Sequence, residues 1–325
     1  MKLLSLFKPE YIYRPGQIAR RLRYGGLSAP ARAGEFAVAD LPWGLPLRVR
    51  RGETIGHSIL SLGVFELLVT ESLWRLIDPG ETVADVGANI GYMSSVMARR
   101  VGPSGAVLAF EAHPGVHADL LHNVGLWSQS AMSSQLGRVD ARHLAVSDQT
   151  GDCTLNVPAG FETNRGLATL ESGADGEREA RAGAAPAMTT ITVRRTTLDE
   201  AFPASEAKRV GLVKMDVEGH ELAILRGASA LIAGRRVRDW IFEENRPYPS
   251  EVTKFFVDHG YTLLRLHKTF SRPGLIDPKA PAADAHSASE APESPNFLAT
   301  LEPGRARERF RPGGWRALRP PKPQL

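Results

Sequence analysis

Two short stretches hold the groups best suited to chemistry. KMDVEGHE (214–221) sets Lys214, Asp216, Glu218 and His220 within a few positions of one another. Alternate residues of a strand share a face, so Lys214, Asp216 and Glu218 point the same way if a strand persists that far. A carboxylate or an imidazole at a strand end can take the proton of a hydroxyl nucleophile as it attacks. On this reading Asp216 orients the reactants, and Glu218 or His220 assists deprotonation. Two alternatives stay open: His220 is an exposed residue of a helix's first turn, or Asp216 and Glu218 hold a divalent cation that acidifies the hydroxyl. Lys214 reads better as an ion-pair partner for these carboxylates than as a catalyst. In IFEEN (241–245) the period of two places Glu243 toward the cleft and leaves Glu244 to pair elsewhere.

The second stretch is ETVADVGANIGYMSS (81–95), an apolar run that stops at Asp85 and turns glycine-rich. Glu111, at the end of the next apolar run, lies 24 residues after Gly87, where a carboxylate can accept both hydroxyls of a ribose. A dinucleotide fingerprint needs G-x-G-x-x-G, whose middle glycine lets the backbone approach a pyrophosphate. Here Asn89 stands in that place between Gly87 and Gly91, and Asp85 adds a charge that repels a pyrophosphate. A nucleoside joined to an amino acid, as in S-adenosylmethionine, suits the acid better, because its ammonium would welcome Asp85. A nicotinamide-dependent oxidoreductase is thereby disfavoured.

The elements that position these groups alternate. Strands are expected at 83–85, 106–112, within 139–148, at 210–216 and at 239–245, and helices at 90–101, 113–127, 220–232 and 249–260. YTLLRLHKTF (261–270) and NFLATL (296–301) are expected to pair as a terminal hairpin, and TGDCTLNV (150–157) to form a β-excursion. This alternation implies a doubly wound α/β sheet, with ligands outside the carboxyl ends of the strands. SILSLGVFELLVTESLWRLI (58–77) reads as one amphipathic helix, since Glu66, Glu71 and Arg75 interrupt it. Residues 157–188 are expected to be a mobile loop, and 277–295 a flexible Pro/Ala/Ser linker.

With 42% hydrophobic residues the chain can bury a sizeable core. One cysteine, Cys153, excludes an internal disulfide and a thiolate zinc cage. No run is long and apolar enough to span a membrane, and the N-terminus is too quickly charged for a secretory signal, so the cytoplasm is the expected location. The net charge of +4 conceals basic ends flanking a middle of net −7. A nucleic-acid enzyme concentrates positive charge around its cleft, so none is expected as a partner. The ends read as solvated tails, with contact to an anionic membrane as the alternative. The expected organisation is a basic lead-in (1–54), one catalytic domain (55–301) and a basic tail (302–325).

DVGANIG, the acid in FEAHP, LAVSD, TTLDE, KMDVEGHELAILRGA, IFEE and NFLA occur in one order. Together they resemble the FkbM-type S-adenosylmethionine-dependent methyltransferases over about residues 55–301. The resemblance implies a Rossmann-like sheet of seven strands, mostly parallel with a C-terminal antiparallel hairpin. It implies methyl transfer to a hydroxyl of a glycan, polyketide or other small-molecule acceptor. Carried onto this sequence, Asp85, Gly87, Asn89 and Gly91 would line the methionine moiety and Glu111 the ribose. Val146 and Ser147 would lie near the adenine, at the end of the third strand. Asp216, Glu218, His220 and Glu243 would form the catalytic side, with no assigned metal ligand. Ala112 stands where such proteins often carry proline. A non-catalytic module that retains the pocket is the competing reading.

Overall fold

The computed structural model describes residues 8–19, 35–161, 163–170, 188–203, 209–280 and 295–319. A short helix α1 (Pro9–Tyr13) precedes a hairpin of β1 (Phe36–Asp40) and β2 (Pro46–Arg50), then helices α2 (Thr54–Leu62) and α3 (Leu67–Leu76). The doubly wound part follows as β3 (Thr82–Val86), α4 (Tyr92–Val101), β4 (Ala106–Phe110), α5 (Pro114–Ser128) and β5 (Arg138–Arg142). A side sheet comprises β6 (Ala145–Val146), β7 (Gly151–Pro158), β8 (Thr169–Leu170) and β9 (Met188–Thr196). The chain returns through α6 (Leu198–Ala201), β10 (Val210–Met215), α7 (Glu221–Arg226), α8 (Ser229–Ala233), β11 (Val237–Glu243) and α9 (Glu251–Asp258). It closes with β12 (Thr262–Lys268), β13 (Pro273–Ile276), β14 (Asn296–Thr300) and α10 (Pro303–Phe310).

The main sheet has eight strands in the order β13-β12-β14-β11-β10-β3-β4-β5. The five strands from β5 to β11 run parallel, and β14, β12 and β13 are antiparallel. This is the expected Rossmann-like α/β sheet with its terminal hairpin, plus one strand more than the seven expected. The addition is PGLI (273–276), which pairs on the outer edge of β12. Both faces of the parallel strands are covered, so β10 is buried along its whole length. The chain departs in opposite directions from β3, with β4 on one side and β10 on the other. That switch point opens a crevice at the carboxyl ends of β3, β4 and β10.

Several expectations need correcting. Residues 58–77 form two helices, because Gly63 ends α2 in the left-handed region (φ 81°) and Glu66 enters α3 at φ 42°. The segment 220–232 likewise divides, into α7 and α8. Val146 and Ser147 do not end the third sheet strand: β5 stops at Arg142, and Val146 pairs with Thr196 in the side sheet. Of the loop expected at 157–188, residues 163–170 are built into the fold, with Arg165 buried and donating to Asp119 (2.8 Å); residues 171–187 lie outside the described part. Of the linker expected at 277–295, residues 281–294 also lie outside it.

The two ends are more than tails. Within the basic first 25 residues Tyr11, Glu10 and Gln17 are buried, and in the hairpin that follows Trp43, Leu45, Leu47 and Val49 are core residues. At the other end Trp315 and Leu318 are fully buried. Arg75 donates to the carbonyls of Arg309 (2.9 Å), Pro312 (2.8 Å) and Gly314 (2.8 Å). Glu71 pairs with Arg75 (2.7 Å) and accepts the backbone N–H groups of Arg316 (2.9 Å) and Ala317 (2.7 Å). Both side chains are 0% exposed, so charges that looked like the polar face of a surface helix are internal fastenings for the tail. The tail's Arg305 and Arg309 both pair with Asp78 at 2.6 Å.

Candidate active site

A cavity of about 250 Å³ opens at the switch point. Its floor is the turn after β3, where Gly87 adopts φ 74° and Asn89 φ 49°. A Cβ on Gly87 would lie 2.0 Å from the carbonyl oxygen of Asp216, so only glycine lets the ends of β3 and β10 meet. Asn89 donates its backbone N–H to Glu111 (2.9 Å), while its side-chain oxygen accepts from Ile90 N (2.7 Å). The other Glu111 oxygen accepts from His113 N (2.8 Å). Each carboxylate oxygen keeps a further lone pair for a ligand hydroxyl. Burial, only partly offset by these two N–H groups, pushes the Glu111 carboxyl up to about 7.

An ion cluster adjoins the floor, with Lys214 and Asp216 at the cavity wall and Asp85 behind them. Lys214 approaches Asp85 (3.5 Å) and Asp216 (3.2 Å) and donates to the carbonyl of Gly87 (3.3 Å). Burial would lower the Lys214 pKa, but Asp216, Asp85 and Glu66 outweigh it and raise it. Burial raises the pKa of Asp85, against Lys214 and the Ser94 hydroxyl, which donates at 2.6 Å. Lys214 is thus the counter-ion that opposes, without cancelling, the effect of burial on Asp85.

The other walls differ in character. Phe110, Leu144, Ala145, Val146, Leu155 and Leu170 give one apolar side, supplied largely by the side sheet. The same lining also holds Asp216, Glu218, His220 and Glu243. β10 ends at Met215, so Glu218 arrives through a turn at φ 49° and not by strand alternation. Partial enclosure, then the carboxylates of Asp216, Glu243 and Glu221, push the Glu218 carboxyl up to about 7. Burial lowers the pKa of His220. Glu244 turns away, accepting from Ser250 (2.6 Å) and Arg246 (3.0 Å).

The cavity therefore gathers Gly87, Asn89, Glu111, Val146, Asp216, Glu218, His220 and Glu243, and it leaves three residues off its wall. Asp85 sits one layer behind, already paired with Lys214. Gly91 faces Leu120 and Trp127, at 2.6 and 3.0 Å from a built Cβ, so its smallness serves helix packing. Ser147 is turned toward His220. His113 caps α5 by accepting from Gly115 N (3.1 Å) and Val116 N (3.3 Å). Sequence reasoning missed Glu66, Tyr92 and Arg165, which also line the cavity. Gly63 was the available signal for Glu66, since a glycine inside a helical pattern marks a stop. Among the described residues no group of three or more His, Cys, Asp or Glu has the geometry of a metal site.

The methyltransferase FkbM domain matches residues 85–263, more than half of the chain, from the floor acid to the antiparallel hairpin. The chain belongs to the FkbM methyltransferase family. A methyltransferase named sdnD from Sordaria araneosa is 26% identical over 202 residues, 56% of this chain and 74% of that protein. Methyltransferase 1 from Beauveria bassiana is 31% identical over 151 residues, 45% of this chain and 57% of its own length. A SAM-dependent O-methyltransferase from Thermotoga maritima superposes with TM-score 0.41 at 12% identity, covering 85% of this chain and 96% of that one. This FkbM methyltransferase uses S-adenosylmethionine as its donor. The residues present fit that molecule: Glu111 faces the cavity with lone pairs to spare, beside an apolar slot and an edge of carboxylates. Among the described residues no helix is long and apolar enough to cross a membrane.

Proposed function

We propose that this FkbM methyltransferase methylates a hydroxyl of a glycan, polyketide or other small neutral acceptor, in the cytoplasm. The observation that carries the reading is one cavity whose lining joins Glu111 and an apolar slot to Glu218 and His220. Glu111 would hold the ribose, Phe110 and Val146 would flank the adenine, and Gly87 and Asn89 would pass under the methionine moiety. Its ammonium would meet the carboxylates at the cavity wall, since Asp85 is already matched by Lys214. When bound, the sulfonium supplies an electrophilic methyl whose carbon–sulfur bond breaks with its electron pair left on sulfur. The chain's own work is to align acceptor and donor, worth roughly 7–11 kcal/mol of barrier, and to accept the hydroxyl proton. Glu218, whose carboxyl is pushed up to about 7, and His220, whose pKa burial lowers, both line the cavity and are the groups proposed to take that proton.

The lining carries Glu66, Glu111, Asp216, Glu218 and Glu243 against Lys214 and Arg165, and this acidic excess supports a non-nucleic-acid acceptor. The test is calorimetric titration with S-adenosylmethionine and its demethylated product, then tritiated methyl transfer into a cell extract and identification of the labelled species. Label in an ether-linked small molecule or glycan supports the proposal. Label in RNA, or on nitrogen or carbon, overturns it. Glu218→Ala should leave donor affinity within twofold and lower turnover; loss of donor binding instead would remove Glu218 from the acceptor side.

A further inference from the structure

The His220 ring does not stand alone. Its Nε2 lies 2.9 Å from the Ser147 hydroxyl, and that hydroxyl donates to Asp148 Oδ1 at 3.1 Å. A serine hydroxyl has one proton to give, and an ionised carboxylate can only accept. When the Ser147 proton is given to Asp148, which can only accept, Ser147 offers His220 nothing but lone pairs. Nε2 must then be the donor, and a neutral imidazole carries only one N–H. Ser147 is itself a fixed post. It is 1% exposed, its N–H donates to Thr196 O at 2.9 Å, and a Cβ on Gly227 would lie 2.0 Å from its carbonyl oxygen.

We infer that Ser147 and Asp148 hold His220 in the tautomer protonated on Nε2, so that Nδ1 is the nitrogen that receives the acceptor's proton. This rests on the O-methylation reading above. As the acceptor oxygen bonds to the methyl carbon, its O–H bond breaks and the proton passes to Nδ1. The resulting imidazolium is steadied through Ser147 by Asp148, and it returns its proton to solvent after the product leaves. Burial keeps the resting ring neutral. Asp148 favours its charged form, Arg195 opposes it from 3.8 Å beyond Asp148, and Glu218 stands two residues away on the same turn. Ser147 and Asp148 are positioning residues; His220 is the group that meets the substrate. Ser147, expected near the adenine, contacts His220 and Asp148.

The test uses the full chain with ¹⁵N-labelled histidine and two-bond proton–nitrogen correlation at pH 7, without donor. The His220 signal is assigned by its loss in His220→Gln. Expected are a neutral ring protonated on Nε2, loss of that preference in Ser147→Ala, and its return in Ser147→Thr. Tritium incorporation into the same extract should fall roughly 10–100-fold in Ser147→Ala, a share of the ~10²–10⁴ that a general base contributes, and recover in Ser147→Thr. Donor affinity should not move. A wild-type ring protonated on Nδ1 or charged at pH 7, or Ser147→Ala equal to wild type in tautomer and incorporation, overturns the inference. If the wild type itself incorporates no label, the parent reading fails, and the tautomer measurement still decides this one.

Discussion

Lys214→Met is the perturbation that most directly tests the ion cluster at the cavity wall. The ammonium lies 3.5 Å from Asp85, whose side chain is 0% exposed, and 3.2 Å from the partly exposed Asp216. At an effective dielectric near 20, a unit pair 3.5 Å apart is worth ~5 kcal/mol, and removing one partner of a buried pair typically costs about 3–5 kcal/mol. Asp85 has an escape, because it can bind a proton. Protonating a carboxyl of unperturbed pKa about 3.9 at pH 7 costs ~4 kcal/mol, which caps the damage there. The sign follows from linkage. In the variant the folded-state pKa of Asp85 rises further, so the cost is largest at high pH and shrinks by ~1.4 kcal/mol per unit as pH falls from the variant's pKa toward the already raised wild-type pKa. Chemical denaturation of the donor-free chain should thus show a loss of at most about 4 kcal/mol at pH 7 that shrinks as the pH is lowered. Asp85→Asn combined with Lys214→Met should recover most of it. A loss below ~1 kcal/mol at pH 7, or one independent of pH, would refute the picture of Lys214 as the counter-ion of Asp85.

The turn and the tail give further expectations. Gly87→Ala places a Cβ 2.0 Å from Asp216 O at φ 74°, and should abolish donor binding by calorimetry while lowering the melting temperature. Donor affinity should rise with pH up to about 7 and then level off, as Glu111 gains its charge; in Glu111→Gln it should be weaker and flat across that range. Arg75→Met strands Glu71 inside the fold and unpairs the carbonyls of Arg309, Pro312 and Gly314, for a loss of about 3–5 kcal/mol by denaturation and faster proteolysis of the tail.

What could be read beforehand was whatever is encoded over short spans. DVGANIG announces its turn because Gly87 must be glycine and because Glu111 sits one strand–helix unit on. The strands were legible because parallel strands buried on both faces are continuous apolar runs. What escaped notice depends on partners far along the chain. Nothing near Arg75 or Glu71 says that residues 309–317 will cover them. Asp119 reads as a helix-surface acid until Arg48, Arg50 and Arg165 converge on it. Ser147 was placed by assuming that one strand ran through 139–148, whereas the chain leaves the main sheet after Arg142 and joins another. Lys214, read as an ion-pair partner, lies between Asp85 and Asp216.

The side sheet divides the labour of the cavity between two kinds of scaffold. The donor's floor is made by ends of the main sheet, where Gly87 touches Asp216 and a changed atom disturbs two strands at once. The apolar wall comes mainly from an insertion between β5 and β10, whose strands pair almost entirely among themselves. Such a wall can drift in length and composition without unsettling the floor. On the proposed assignment that insertion carries Val146 beside the adenine and Ser147 and Asp148 behind His220, so rewriting residues 145–196 would retune donor grip and proton transfer together, while the floor stays with the main sheet.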